Sequence, residues 1–261
     1  DVFTLTADDG EQAEYDLSSD SFLTHAARNL PSVMLGWHYR SRSESLISFS
    51  NCAFYGGRLL TVPDEDSHDR ALEELRVGEA GDAEQFAPEL LARSVSFHLV
   101  ESGVYDNRRN RAEADYIAAL VRELIRTTPR HSIGIVAFSE AQQDEIERAL
   151  ERLASNDNDF RAELDAEWER EQDGEFVGLL VKNLENVQGD ERDVVIMSVC
   201  YGPAPDGKMR MNFGPINQSG GEKRLNVAFS RARHHMALVS TIRGDRITND
   251  YNEGARCLKN Y

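Results

Sequence analysis

The chain has 261 residues, 40% hydrophobic and 8% aromatic, enough for a real core in one large domain or two small ones. Its net charge of −17 taken alone speaks against a nucleic-acid binder. The cysteines, Cys52, Cys200 and Cys257, are too scattered for a disulfide framework or a metal site, and no apolar run reaches the length of a membrane span. The acidic first residues are not a basic leader, so a reducing, cytoplasmic setting is expected. A chain that opens on Asp1 is expected to be a piece of something longer, or a processed product.

Residues 1–22 are polar and acidic without a clear period, the expected tail of a preceding element. Residues 21–29 predict a short helix and 32–35 a short strand. Within 36–60, Ser43 stands where it would cap a helix with Leu46, Ile47, Ser50, Ala53 and Phe54 on one side. Tyr39 and Arg40 fall just before that helix, at a strand-to-helix junction, the edge of an open α/β sheet where ligands sit. Residues 63–93 read as an acidic insertion, a solvated loop or peripheral helix. The Asp-Glu pair at 64–65 follows too short an apolar run, broken by Pro63, to be a magnesium-binding strand end.

Residues 95–100 alternate and are rich in β-formers, a strand. Residues 110–127 predict an amphipathic helix, with Ala114, Ile117, Ala118, Val121 and Ile125 in register. Residues 133–138 are a continuous apolar run of the kind that makes a buried parallel strand, and 141–153 are again helical. The order β, α, β, α implies parallel strands joined by right-handed crossovers. A second acidic stretch, 155–175, is expected at the periphery as lid or surface. Residues 177–182 and 194–199 are further core strands. The polar turn between them carries Asn183, Glu185, Asn186, Gln188, Gly189 and Glu191, and Gly189 lets the backbone turn tightly beside a ligand. Residues 202–208 have the spacing of a phosphate-binding loop. However, Pro203 and Pro205 lack N–H groups, Met209 stands where Ser or Thr is needed, and no helix start follows. A hairpin or loop is expected there. Residues 236–241 close the sheet, and 246–261 form a polar end.

Residues 220–233, GGEKRLNVAFSRAR, read as one helix. Ser219 stands before Glu222 at capping-box spacing, and Leu225, Ala228, Phe229 and Ala232 share a buried face. Arg224 and Arg231 return to the same side after two turns. Guanidinium groups beside an apolar anchor suit phosphate recognition; a surface helix with solvated arginines accounts for the same pattern. His234 and His235 point apart and have no Cys or acidic partner at ligand spacing, so no metal is expected. The acid is concentrated at 64–88 and 140–175, and lysine occurs only at 182, 208, 223 and 259. A basic groove of arginines inside an acidic shell is therefore compatible with the total charge.

KRLNVAFSRAR (223–233) resembles motif VI of the superfamily 1 helicases nearly residue for residue. LGWHYRSRSESLISFSNCAFYGGRL (35–59) resembles motif IV and VKNLENVQGDERDVVIMSV (181–199) motif V, in the family's order. The chain looks like the second RecA-like domain of such an enzyme, nearest the branch of the nonsense-mediated-decay helicase and its bacterial relatives. The resemblance implies an α/β RecA-like fold over 1–261, a mainly parallel sheet flanked by helices on both faces, without its own P-loop. It implies an ATP-driven motor on single-stranded DNA or RNA. ATP would lie between this domain and an N-terminal RecA-like domain that carries the P-loop and the Mg²⁺ ligands.

By the same resemblance Tyr39 stacks on adenine, and Arg40 and Arg231 reach the γ-phosphate as arginine fingers. Glu191 of the Gln-Gly-x-Glu run bonds the ribose hydroxyls beside Gly189, and Gln188 couples the nucleotide to the nucleic-acid face. Asn183 stands where the family usually has a Thr that touches a nucleic-acid phosphate, and Asn186 goes with it. Arg224 supports the site or pairs with an acid, and His38, where relatives have Gln or Asn, receives no role. Movement from 5′ to 3′ follows by analogy with the branch. Alone, the chain is expected to hydrolyse little or no ATP. The alternative is a non-catalytic RecA-like module that binds nucleic acid or protein without ATP chemistry.

Overall fold

The computed structural model describes residues 2–6, 12–16, 22–61, 63, 74–127 and 130–261. The chain divides into two compact units, Asp1–Trp37 and His38–Tyr261. In the first unit, strands β1 (Val2–Thr6) and β2 (Gln12–Asp16) pair antiparallel, with Phe3 opposite Tyr15 and Leu5 opposite Ala13. Strands this short leave no period that stands out in a sequence. Helix α1 (Phe22–Asn29) follows as expected. Among the described residues no strand forms at 32–35, where Val33 and Leu35 are exposed.

In the second unit, helix α2 (Ser45–Tyr55) precedes strand β3 (Glu74–Val77), helix α3 (Ala83–Leu90) and strand β4 (Val95–Val100). A small hairpin of β5 (Tyr105–Asp106) and β6 (Arg109–Asn110) leads into α4 (Arg111–Ile125). Strand β7 (Ile133–Ala137), α5 (Glu140–Asn156) and α6 (Asn158–Trp168) come next, then a hairpin of β8 (Glu171–Gln172) and β9 (Glu175–Phe176). The chain ends with β10 (Leu180–Asn183), β11 (Arg192–Ser198), α7 (Gly221–Phe229), β12 (Ala232–Ser240) and α8 (Glu253–Asn260). Strands β10, β7, β11, β12, β4 and β3 form one sheet in that order, every neighbouring pair parallel.

Successive strand residues point to opposite faces, and here both faces are apolar. Ile135, Val194, Ile196 and Val239 pack beneath α3 to α6 with Leu120, Ile146 and Phe160. Val136, Val195, Met197 and Leu238 pack on the other side with Leu46 of α2, Leu225 and Phe229 of α7 and Leu258 of α8. This is the doubly covered α/β sheet that the runs at 133–138 and 194–199 imply. Among the described residues no helix is long and apolar enough to cross a membrane.

Three stretches expected at the surface belong to this architecture. The described part of 63–93 supplies β3 and α3, with Val77, Ala83 and Leu90 buried. Residues 62 and 64–73, including the acidic pair at 64–65, lie outside the described residues. In 155–175, the Asp157 side chain caps α6 by accepting from Phe160 N–H at 2.9 Å, and the helix buries Phe160 and Leu164. In 246–261, the chain beyond α8 lays Tyr261 on Phe229, ring centroids 3.5 Å apart. A helix docks on one apolar stripe of about three to four residues per two turns, and a count of charges does not register it. Phe160→Ala is expected to cost about 3–5 kcal/mol in denaturant unfolding. A peripheral lid would lose under about 0.5 kcal/mol.

A chain of buried hydrogen bonds ties β4 to β12 and α4. Its direction is fixed at Arg93 O, which only accepts. His235 Nδ1 donates to that oxygen at 2.7 Å, so Nε2 accepts, from Ser96 Oγ at 2.9 Å. Ser96 in turn accepts from His98 Nε2 at 2.7 Å, and His98 Nδ1 accepts from the Tyr116 hydroxyl at 2.6 Å. Both rings are neutral in this arrangement. Burial pushes the pKa of His98 down to about 3 and that of His235 to about 4, from an ordinary 6.5. The unfolded chain takes up these protons at the ordinary value. The contribution is therefore complete above about pH 6.5 and lost as pH falls toward 4 and 3. The calorimetric midpoint is expected to drop over that range, and to drop less in His98→Gln, which has no proton to take up.

Candidate active site

The helix in the basic stretch is shorter than its pattern suggests. α7 ends at Phe229 and β12 begins at Ala232, so Ser230 and Arg231 lie on the turn between them. The expected capping box does not form. Gly220 is the N-cap, at φ 78°, and no side chain bonds the first N–H groups. A Cβ at Gly221 would run into the carbonyl of Ile216, so close backbone approach demands a glycine there, while the left-handed φ of Gly220 favours the other. Leu225, Ala228 and Phe229 are buried as expected. Arg224 and Arg231 do not share a helix face. Arg224 lies 3.9 Å from Glu185 and donates to the carbonyls of Ser219 and Pro215.

In a parallel sheet the residues that precede neighbouring strands stand side by side. Glu191 immediately precedes β11, and Arg231 and Arg233 flank the start of β12, its neighbour; Arg192 pairs with Ala232. Positions 231 and 233 project to one side of an extended chain. Arg40 reaches the same corner on a loop zipped to β12. Arg42 N–H donates to Arg233 O at 2.7 Å, and Ser41 Oγ donates to Ala232 O at 3.2 Å. His38 shapes that loop, its Nε2 accepting from Ser41 N–H at 3.2 Å.

Glu191 is the hub. Arg40 Nε donates to its Oε2 at 2.5 Å, and Arg233 donates to Oε1 through Nη2 and, at 3.1 Å, through Nε. Burial works to raise the carboxyl pKa, but the hydrogen bonds from Arg233 and Arg40 outweigh it and hold the group below the ordinary carboxylate value. Arg231 is held back against its own turn. It donates from Nε to Val227 O at 2.7 Å, from Nη2 to Ser230 Oγ at 3.0 Å and from Nη1 to Asp190 O at 3.4 Å. Burial, then the charge of Arg40, lowers its pKa, and it remains a cation throughout the working range. Tyr39, next to Arg40, is 85% exposed. Gly189 turns the backbone at φ 95° just ahead of Glu191, with open space where a Cβ would stand, and Gln188 is exposed.

Two expectations about position are corrected. Tyr39 and Arg40 follow an extended loop rather than a strand, and the cluster lies at the amino ends of β11 and β12, not at the carboxyl edge. The carboxyl edge is filled by its own side chains. Buried Glu113 accepts from Ser198 Oγ, Cys200 N–H and Thr241 Oγ1, each at 2.9 Å, and Gln142 Nε2 donates to Ser198 Oγ at 2.9 Å. Burial pushes the pKa of Glu113 up to about 7. Asn183 stands at this edge beside Ala137, level with Ser198 at the far end of β11 from Glu191, although Lys182 beside it donates to Asp190 at 2.5 Å. Asn183 Oδ1 accepts from Glu185 N–H at 3.1 Å, and Asn186 is exposed on the same turn. The structure thus joins Arg40, Glu191 and Arg231 and leaves Asn183 and Asn186 apart from them. Arg233 is the member that sequence reasoning missed. The available signal was its alternate spacing from Arg231 at a strand start.

Glu191→Gln removes the charge that both guanidiniums share. The folded pKa lies below the ordinary 4.5, so the contribution is present above that value and lost as pH falls through the folded pKa. The difference in unfolding free energy between wild type and Glu191→Gln, taken from denaturant melts, is expected to be largest at neutral pH and to close as pH falls below the ordinary carboxylate value and through the folded pKa.

A protein-family model described as AAA domain matches residues 18–243. The chain is 32% identical to the uncharacterized ATP-dependent helicase MG140 of Mycoplasma genitalium, over 92% of this chain and 20% of that protein. It is 33% identical to the MG140 homolog of Mycoplasma pneumoniae, over 93% of this chain and 18% of that protein. It therefore spans about a fifth of the length of these relatives. A solved structure, the C-terminal domain of a possible DNA helicase from Lactobacillus plantarum WCFS1, is 19% identical and covers 62% of this chain and 86% of that one. Its TM-score is 0.30.

Proposed function

We propose, for a chain that belongs to the AAA domain family as the second RecA-like domain of a superfamily 1 helicase, that it supplies one half of an ATP site. The other half comes from an N-terminal RecA-like domain of a longer protein that moves on single-stranded DNA or RNA. The observation that supports this most is the meeting of Arg40 and Glu191, 151 positions apart in sequence, at 2.5 Å, with Arg231 on the same corner.

In this reading adenine stacks on the exposed ring of Tyr39, and the ribose hydroxyls donate to Glu191. A sugar that takes an oxygen of Glu191 competes with Arg40, whose guanidinium is then free to reach the γ-phosphate. Arg231 approaches that phosphate from the turn between α7 and β12. Both groups put fixed positive charge where negative charge gathers on the transferred phosphoryl oxygens. The bare backbone at Gly189 lets the sugar come close, and Gln188 stands beside it as the coupler to the nucleic acid. Asn183 and Asn186 contact the phosphates of the bound strand at the other edge. Mg²⁺ is held by the N-terminal domain, and the protein works in the cytoplasm. Without the partner domain's P-loop, this chain alone turns over little ATP.

Arg231→Ala in the full-length protein is expected to lower ATP turnover about 10³-fold or more while nucleotide affinity stays within a few-fold of wild type. Single-turnover hydrolysis and equilibrium nucleotide binding separate the two effects. Unchanged turnover would mean a non-catalytic module instead.

A further inference from the structure

We propose that His131, Asp193 and His234 form a binding site for a divalent first-row cation of the zinc type. The sheet brings them together. Strands β7, β11 and β12 are consecutive neighbours, and Val194 lies beside both Ile133 and His235. Asp193 therefore sits between the approach to β7 and the position of His234. One ligand atom from each of the three lies within 4.8 Å of the others. His131 Nδ1 is 4.0 Å from Asp193 Oδ2, and His234 Nε2 is 3.9 Å from Asp193 Oδ1.

Two imidazoles and a carboxylate are a donor set that suits zinc and its first-row neighbours. Tetrahedral ligands about 2.1 Å from a cation are about 3.4 Å from one another, so ligand atoms within 4.8 Å of one another need to close by no more than about 1.4 Å to complete the site. His234 is exposed and can supply that movement. The carboxylate is already oriented, since Oδ2 accepts from Ser132 N–H at 2.9 Å and from Ser132 Oγ at 2.8 Å. Outer support of this kind fixes metal-binding carboxylates. The opposing influence is Arg233, whose Nη1 lies 3.9 Å from Asp193 Oδ1. Its Nε and Nη2 are committed to Glu191, so a cation at Asp193 displaces none of its hydrogen bonds. The acidic partner that His234 lacks in sequence spacing is thus supplied by a neighbouring strand. His235 points into the buried chain through Ser96 and takes no part.

The test is independent of the ATP reading. Titration of the full chain with Co²⁺, followed by visible ligand-field absorption and reversed by Zn²⁺, is expected to saturate at one equivalent. His131→Ala and His234→Ala each abolish the band, and Ser132→Ala weakens binding about tenfold, with far-UV circular dichroism unchanged. Cys52→Ser, which removes the exposed thiol, leaves the band in place. No uptake by the wild type, or uptake that persists in the His131→Ala/His234→Ala double variant, overturns the proposal.

Discussion

Parallel register is the constraint on which the candidate-site corner depends. Glu191, Asp193, Arg233 and His234 are polar neighbours only because β11 and β12 start level with each other. That level is set inside the sheet, where Val194 and Ile196 bury on one face and Val195 and Met197 on the other. A slip of one residue would send each to the wrong face. Burying a side chain of this size contributes about 1.5–3 kcal/mol, whereas a part-exposed ion pair contributes about 0.2–1 kcal/mol. The core therefore aligns the charges, and the charges do not align the core.

The bulk acidity of the chain stays away from this corner. Much of it is matched locally on the helices that cover one face. Arg152 bonds Asp115 at 2.7 Å and Glu145 at 3.0 Å, Arg126 bonds Glu163 at 2.8 Å, and Arg161 bonds Glu151 at 2.8 Å. Exposed pairs add little to stability, but they leave less uncompensated negative charge on that side. Around Glu191 the excess of acid disappears, with the guanidiniums of Arg40, Arg231 and Arg233 set among the carboxylates of Glu191, Asp190 and Asp193. A total of −17 is thus a poor guide to the potential at any one place.

What could be read from the sequence follows the range of the signal. The run at 95–100 is β4, and the periodic stretch at 110–127 contains α4, because long repeats carry their own evidence. Arg40, Glu191 and Arg231 were legible because each sits in a motif whose spacing is local. The turn at Ser230 and Arg231 was not, since Leu225, Ala228 and Phe229 continue a helical period straight into Ala232, which is the first residue of a strand. Arg233 and the grouping of His131 with Asp193 required knowing which strands adjoin. The carboxyl edge misled for a different reason: a general rule about sheets cannot see that Glu113, Gln142 and Thr241 have already closed that edge.

The buried relay from Tyr116 to Arg93 has a consequence for how this sequence can vary. Because Ser96 must both receive from His98 and give to His235, the two imidazoles sit in opposite tautomers, one polarity running through four residues on α4, β4 and β12. Exchanging a single member leaves a stranded donor facing a stranded acceptor, whereas an apolar exchange of several members together removes both at once. The relay is thus expected to be kept or lost as a block.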